Sequence, residues 1–337
     1  WFGAYDYGLV RYANDTFTIL TEEDGLPSRY GIIWDMLEDG KGNLWLATHL
    51  GGLIRYDGDS FAHFEDSGLP SKIRSFLMDA SGNLWLASSE GVVRYDGHEA
   101  IKYKIPGAYG AHKIIQRQDG SIWFTTPDKL ARFSADEVTL YPLPGGSYFP
   151  SMHEDRSGEL WIAGRGSITR FDGERFHFFD AASEAIIYNI LEDPSGSLWF
   201  SSFGAGVFRL QDGRLQTLTE AGDGLGSDDV TIGAVDDHGD VWLPTMEGIS
   251  RFDGDRVLNL TQASGLPGGT AEELLRDSRG HWWFGMGSSG VVRYDGQQLT
   301  TFDREHGLAG DRVTSLLEDR QGRVWIGTDA GLTSYDG

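Results

Sequence analysis

Residues 37–58 read Leu-Glu-Asp-Gly-Lys-Gly-Asn-Leu-Trp-Leu-Ala-Thr-His-Leu-Gly-Gly-Leu-Ile-Arg-Tyr-Asp-Gly. Short apolar runs alternate with clusters of Asp, Gly and Asn, which is the pattern of strand, turn, strand, turn. Working outward, the unit comprises four strands. Strand A is 32–38, strand B is 44–48, strand C is 52–56 and strand D is 60–64. The A–B turn is Asp39-Gly40-Lys41-Gly42-Asn43, and the C–D turn carries Asp57-Gly58. Asp-Gly is a strong hairpin signal, because Gly tolerates positive φ and Asp hydrogen-bonds its own backbone. The pair returns at 96–97, 172–173, 212–213, 253–254, 295–296 and 336–337. Two copies depart from it, with Ala13-Asn14-Asp15 and Ser134-Ala135-Asp136, and their turns must take another form.

The unit recurs along the whole chain, with one tryptophan per copy: Trp1, Trp45, Trp85, Trp123, Trp161, Trp199, Trp242, Trp283 and Trp325. The intervals are 44, 40, 38, 38, 38, 43, 41 and 42 residues. Several strands per unit at a period of about 40 residues define an all-β propeller of four-stranded antiparallel blades. A single unit cannot bury its apolar face alone, so 1–337 reads as one β-propeller domain rather than two ordinary domains. Counting strands gives B, C and D at the start, seven full units, then A, B and C at the end. Nine blades are preferred, because eight would leave an apolar hairpin without a place; eight is the alternative.

The A–B turn repeats as Asp-x-x-Gly-x-apolar-Trp, with Asp79, Asp155, Asp193, Asp277 and Asp319 six residues before the tryptophan. A calcium loop needs several alternating oxygen ligands, and one Asp per turn does not supply them. The expected role of this Asp is to cap the turn through backbone N–H groups. Arg117 replaces it in one copy, and that turn should lack the cap. The D–A connections carry Gly25-Leu26-Pro27, Gly68-Leu69-Pro70 and Gly265-Leu266-Pro267, weakening to Gly224-Leu225-Gly226 and Gly307-Leu308-Ala309. The phrase is missing between 104 and 186, where the connections should be differently shaped.

The phrase Glu318-Asp319-Arg320-Gln321-Gly322-Arg323-Val324-Trp325-Ile326-Gly327-Thr328, together with Leu53-Ile54-Arg55-Tyr56-Asp57-Gly58, resembles the two-component regulator propeller repeat. The resemblance extends over the chain and is poor in 104–150. It implies a sensor propeller outside the cytoplasm, periplasmic or extracellular, in hybrid histidine kinases and related receptors, often reading carbohydrates. Signalling domains attached to it, or partnered with it, follow from the same resemblance. A weaker similarity around Ser121-Ile122-Trp123-Phe124-Thr125-Thr126 is to propeller lyases of the streptogramin type.

Bulk composition narrows the partners. Acidic residues number 51 against 28 basic, a net charge of −23. Such a surface repels phosphate backbones and anionic head groups, which argues against nucleic acid and against direct membrane contact. With no cysteine there is no disulfide and no thiolate chemistry. No run of about 18 apolar residues is present. The chain begins at Trp1, and the expectation is a processed or excised piece whose targeting signal lies elsewhere.

Candidate site residues are those the repeat does not explain. The nine recurring tryptophans are expected to pack between blades. Aligned on the turn Asp, strand A has three apolar columns, such as Ile33/Ile73/Ile187/Val313, Met36/Phe76/Ile114/Leu316 and Leu37/Leu77/Ile115/Leu317. A fourth column is mixed: Trp34, Arg74, His112, Pro150, Tyr188, Thr231, Glu272 and Thr314. One scaffold position filled by unrelated polar and aromatic types is what a ring of ligand contacts requires. The B–C loops on the same face add Tyr5, His49, Arg165 and Phe203 among others. The expected ligand-binding set is Trp34, Arg74, His112, Tyr188, Glu272, His49, Tyr5, Arg165 and Phe203, for a saccharide or other polar small molecule. No G-x-S-x-G elbow, Walker loop or H-E-x-x-H occurs, so no catalytic residue, metal or cofactor is assigned. Two other functions remain open: a polysaccharide lyase or hydrolase using His49, His112, Arg74, Tyr188 and Glu272, and a protein-interaction scaffold.

Overall fold

The computed structural model describes residues 1–337 except 5–7, 14–15, 27–32, 49–51, 65–67, 71, 104, 106–109, 135–136, 144–150, 182–184 and 232; at 2–4, 8, 13, 17 and 34 only the backbone is described. The chain divides into two compact units, Trp1–Glu154 and Asp155–Gly337. Every sheet is antiparallel and runs in chain order. Seven sheets have four strands, while the first and the last have three. The fold is all-β, built of four-stranded propeller blades. The preference for nine blades is corrected: nine four-stranded blades would need 36 strands, and the described residues form 34, enough for eight. Among the described residues, the first sheet holds strands B, C and D and the last holds A, B and C.

In the unit read first, the strands are Ile33–Glu38, Leu44–Thr48, Leu53–Tyr56 and Phe61–His63. They differ from the sequence reading by a residue or two at the ends, as frayed termini do. Strand B is buried throughout because both sheet faces are covered by neighbouring blades. At the C–D turns Asp57 Oδ1 accepts the N–H groups of Asp59 and Ser60 at 3.0 and 2.9 Å. Gly58 there takes φ 102°, which a Cβ would oppose. The turns at 14–15 and 135–136 lie outside the described residues.

The tryptophans pack between blades. In the first unit, Trp45 is buried with Leu84, Leu86 and Tyr95 of the following blade. In the second, Trp199 is 1% exposed and lies 5.0 Å from the ring of Phe252 in the next blade. Most of these indoles also face an arginine across their own hairpin: Trp45 pairs in register with Arg55, and Trp199 with Arg209, whereas Trp325 pairs with Ser334. The Arg209 guanidinium sits 5.0 Å from both the Trp199 and Phe252 rings. This is cation–π geometry over a desolvated surface.

The turn aspartates do more than cap. Asp193 Oδ1 accepts the N–H groups of Ser195 and Ser197 at 2.9 and 3.0 Å, and Oδ2 accepts the Trp199 indole N–H at 2.9 Å. The same two-sided arrangement joins Asp39 to Trp45, Asp79 to Trp85, Asp155 to Trp161, Asp236 to Trp242, Asp277 to Trp283 and Asp319 to Trp325. Where Arg117 stands instead, the turn is not left uncapped as expected. Asp119 Oδ1 accepts the Ser121 N–H at 2.9 Å, and the Ser121 hydroxyl accepts the Trp123 indole N–H at 2.7 Å.

Among the described residues, four D–A connections contain a short helix rather than plain loop: Glu22–Asp24, Glu220–Asp223, Gln262–Ser264 and Arg304–His306. The glycine of each Gly-Leu phrase is the left-handed C-cap, with φ of 99°, 79°, 97° and 99°. The leucine that follows is buried at Leu26, Leu225, Leu266 and Leu308, anchoring the connection in the core.

Candidate functional site

Strand A is not a regular strand. Its pairing with strand B slips between Ile33 and Asp35, between Ile73 and Ser75, between Ile187 and Asn189, and between Val313 and Ser315. The skipped residues are Trp34, Arg74, Tyr188 and Thr314, all members of the mixed column. Two further members show the matching hydrogen bonds. His112 N–H donates to Thr125 O at 2.9 Å while Thr125 N–H donates to Lys113 O at 3.0 Å. Glu272 N–H donates to Gly285 O at 2.9 Å, although Gly285 is the register partner of Glu273. Two residues of strand A therefore oppose one of strand B, which is a β-bulge. The bulge frees one side chain per blade from the apolar alternation. Ile73, Ile187, Ala271 and Val313 are buried, while the next residues, Arg74, Tyr188, Glu272 and Thr314, are exposed. Tyr188 keeps 52% of its surface in solvent.

The bulge also frees the residue after it, a second column that the sequence reading passed over. It holds Asp35, Ser75, Lys113, Ser151, Asn189, Glu273 and Ser315, with Ile232 as the one apolar exception in the sequence. The signal was present, since this position is polar in one repeat after another, but only the bulge explains why two successive positions are polar. Burial pushes the carboxyl of Asp35 up, against the opposing pull of the Met36 N–H and the Lys113 charge. Burial, reinforced by the charge of Glu272, pushes Glu273 up as well. The turn aspartates shift the other way. For Asp319, burial alone would raise the value, and the N–H donors of Trp325, Arg323 and Gln321 outweigh it, holding the carboxyl down to about 2. Among the described residues Asp35 accepts the Met36 N–H alone, where a turn carboxylate such as Asp193 accepts several donors.

The ends of the D–A connections are stitched to the B–C turns of the preceding blade. Ala111 N–H donates to Ser88 O at 2.7 Å, Gly166 N–H to Ala185 O at 2.8 Å, and Val230 N–H to Ser202 O at 2.9 Å. The bulges and these two sets of loops thus share one end of each blade. In the second unit, Arg165 forms a bridge with Ile186, and Phe203 pairs with the same Ile186. This places Arg165 and Phe203 two residues from Tyr188. Phe203 is 49% exposed. Nearby in the chain, a cleft of about 370 Å³ opens between the turn at Met246 and Glu247 and the connection at Thr261, Gln262 and Pro267. Tyr5 and His49 lie outside the described residues, as does Pro150, and the side chain of Trp34 is not described. A larger hollow of about 470 Å³ is formed by Arg209, Gln211, Asp212, Arg214 and Gln216 on one C–D hairpin. Its walls are long side chains of a single hairpin, which do not define a fixed shape.

The other end of the blades is committed to architecture. The Glu that closes strand A reaches back to the preceding A–B turn: Gln118 N–H donates to Glu154 Oε2 at 2.8 Å, Arg156 N–H to Glu192 Oε2 at 3.0 Å, and Ser278 N–H to Glu318 Oε2 at 2.8 Å.

Repeated blades fixed by near-identical turns at one end, with variable exposed side chains at the other, define a β-propeller. The family model of the two-component regulator propeller matches residues 27–49 and 307–330. Among curated proteins none matches the sequence. Among solved structures, the extracellular domain of a hybrid two-component system from B. thetaiotaomicron is 20% identical, covering 99% of this chain and 54% of that one at a TM-score of 0.45. This chain spans about half the length of that domain. Virginiamycin B lyase from Staphylococcus aureus is 14% identical over 89% of this chain and 92% of that one, at a TM-score of 0.53. PorZ, a bacterial surface component of the type-IX secretion system of Porphyromonas gingivalis, is 18% identical over 98% of this chain and 56% of that one, at 0.51. At these identities the last two likenesses establish the fold alone.

Proposed function

We propose that this chain is the ligand-sensing propeller of a signalling receptor, acting in the periplasm or outside the cell, and that it recognises a saccharide or another polar small molecule. The observation that carries the reading is the bulge on strand A. In four blades it turns one side chain, different in each, out of an otherwise uniform frame: Arg74, Tyr188, Glu272 and Thr314. A frame of this kind presents chemically different groups at fixed places, which is what recognition of a many-hydroxyl ligand demands. The two-component regulator repeat supports a sensing role, with a signalling domain attached to the propeller or partnered with it.

The test is a thermal-shift panel of neutral and acidic oligosaccharides, followed by calorimetry on any ligand that raises the melting temperature without turnover. Trp34→Ala, Arg74→Ala or Tyr188→Ala should weaken binding by about ten-fold to a hundred-fold, the worth of one lost polar or stacking contact. Lys41→Ala, in an A–B turn, should leave the affinity unchanged. Equal losses from both sets of variants, or a ligand held on the A–B and C–D turns, would refute the site.

A further inference from the structure

We infer that the first unit carries a subsite for an anionic group, so that the ligand read by this propeller bears a carboxylate or an equivalent anion; this rests on the sensing role proposed above. Arg74 and Lys113 occupy the two freed positions of neighbouring A strands, Ile73–Met78 and Ile114–Gln116, which lie against each other. Both are exposed. Other arginines of the blades are held by carboxylates. Arg117 meets Glu154 at 2.9 Å, Arg170 meets Glu159 at 3.2 Å, and Arg276 meets Asp237 at 2.7 Å. Arg74 and Lys113 form no ion pair among the described residues, in a chain whose net charge is −23. His112, half-buried, stands beside Lys113 on the bulge.

An acidic protein that keeps two cations unpaired on adjacent bulges holds a local positive field within a negative surround. Neutral hydroxyl ligands gain little from such a field, whereas a carboxylate gains charge-assisted hydrogen bonds from both groups. The field is not unopposed. The Lys113 charge is felt at Asp35 on Ile33–Glu38, the A strand before that of Arg74, and Glu90 lies exposed on the B–C turn next to the connection that enters the 114–116 strand. These two carboxylates set where the anion sits: against Arg74 and Lys113, with the neutral remainder of the ligand toward Asp35.

Calorimetry with three probes tests the assignment: oligogalacturonate, its methyl ester, and citrate. The acid should bind at least about ten-fold more tightly than the ester, and its affinity should fall with added salt. Arg74→Gln and Lys113→Gln should each weaken it by about ten-fold, while Lys41→Gln has no effect. Both side chains are exposed, so these variants should fold; an unchanged melting temperature without ligand checks this. Citrate binding that is lost in Arg74→Gln, with no saccharide bound, would support the anion subsite and refute the saccharide reading. Equal binding of acid and ester with Arg74→Gln silent would overturn the subsite and leave the saccharide reading standing. Binding of none of the three would overturn the subsite.

Discussion

Replacing Asp193 by alanine should destabilise the protein by about 4 kcal/mol, and the figure follows from the two buried donors it would strand. Asp193 accepts the N–H groups of Ser195 and Ser197 and the indole N–H of Trp199. Ser195 is exposed, so water replaces the lost acceptor there at little cost. Ser197 and Trp199 are each 1% exposed, and their donors would be stranded. A stranded buried donor costs about 1–3 kcal/mol, so two cost about 2–6 kcal/mol. That is a large part of the stability of an ordinary domain, about 5–15 kcal/mol. Asp193→Asn supplies a control. Its carbonyl can still accept both turn N–H groups, but its amide then meets the indole donor to donor, so about half the loss should remain. Urea denaturation followed in parallel by circular dichroism and tryptophan fluorescence measures both variants, and agreement of the two probes checks that one transition is being read. A loss below about 1 kcal/mol for Asp193→Ala would show that the bond to the indole is incidental and that the Asp-to-Trp spacing of six residues reflects turn length alone.

Trp199→Ala should cost about 3–5 kcal/mol in the same assay, as other large-to-small changes in a packed core do; a loss below about 1 kcal/mol would mean that the ring is not holding adjacent blades together. Acid should weaken the protein in a defined window. Asp39, Asp79, Asp155, Asp193, Asp277 and Asp319 all titrate below the ordinary value of 3.8, Asp319 at about 2. A lowered carboxyl contributes stability that is present above the unfolded value and is lost as pH falls through the folded one. Unfolding free energy measured from pH 6 down to 2 should therefore stay level to about pH 4 and then drop, and a drop beginning at pH 6 would point to other groups. Gly206→Ala should be among the most damaging small changes, because Gly206 sits at φ 73° and a Cβ would lie 2.1 Å from Leu218 O. A thermal melt showing less than a few degrees of loss would contradict that contact.

What the sequence determined by itself is whatever depends on local chemistry repeated along the chain. The tryptophan interval near 40 residues fixes the blade as the unit, and Asp57-Gly58 and its copies fix the hairpins, because these turns need only their own residues. The interblade packing of the tryptophans was legible for the same reason: an apolar position that recurs once per blade must face the next one. The mixed column from Trp34 to Thr314 was visible as a break in the pattern.

The tertiary structure alone decided why that column breaks. A bulge is a property of two paired strands, so the sequence of one strand shows the break in its pattern but not the cause. For this reason Asp35, Lys113 and Glu273 escaped notice although they follow the column directly. The indole bond of Asp193 also depends on the closed turn, which brings together two atoms six residues apart. The blade count depended on which strands found partners, and the strands formed at the two ends fall short of nine blades of four. Local propensity acts along the chain, whereas register, side-chain exposure and the pairing of charges are set by contacts between segments distant in sequence.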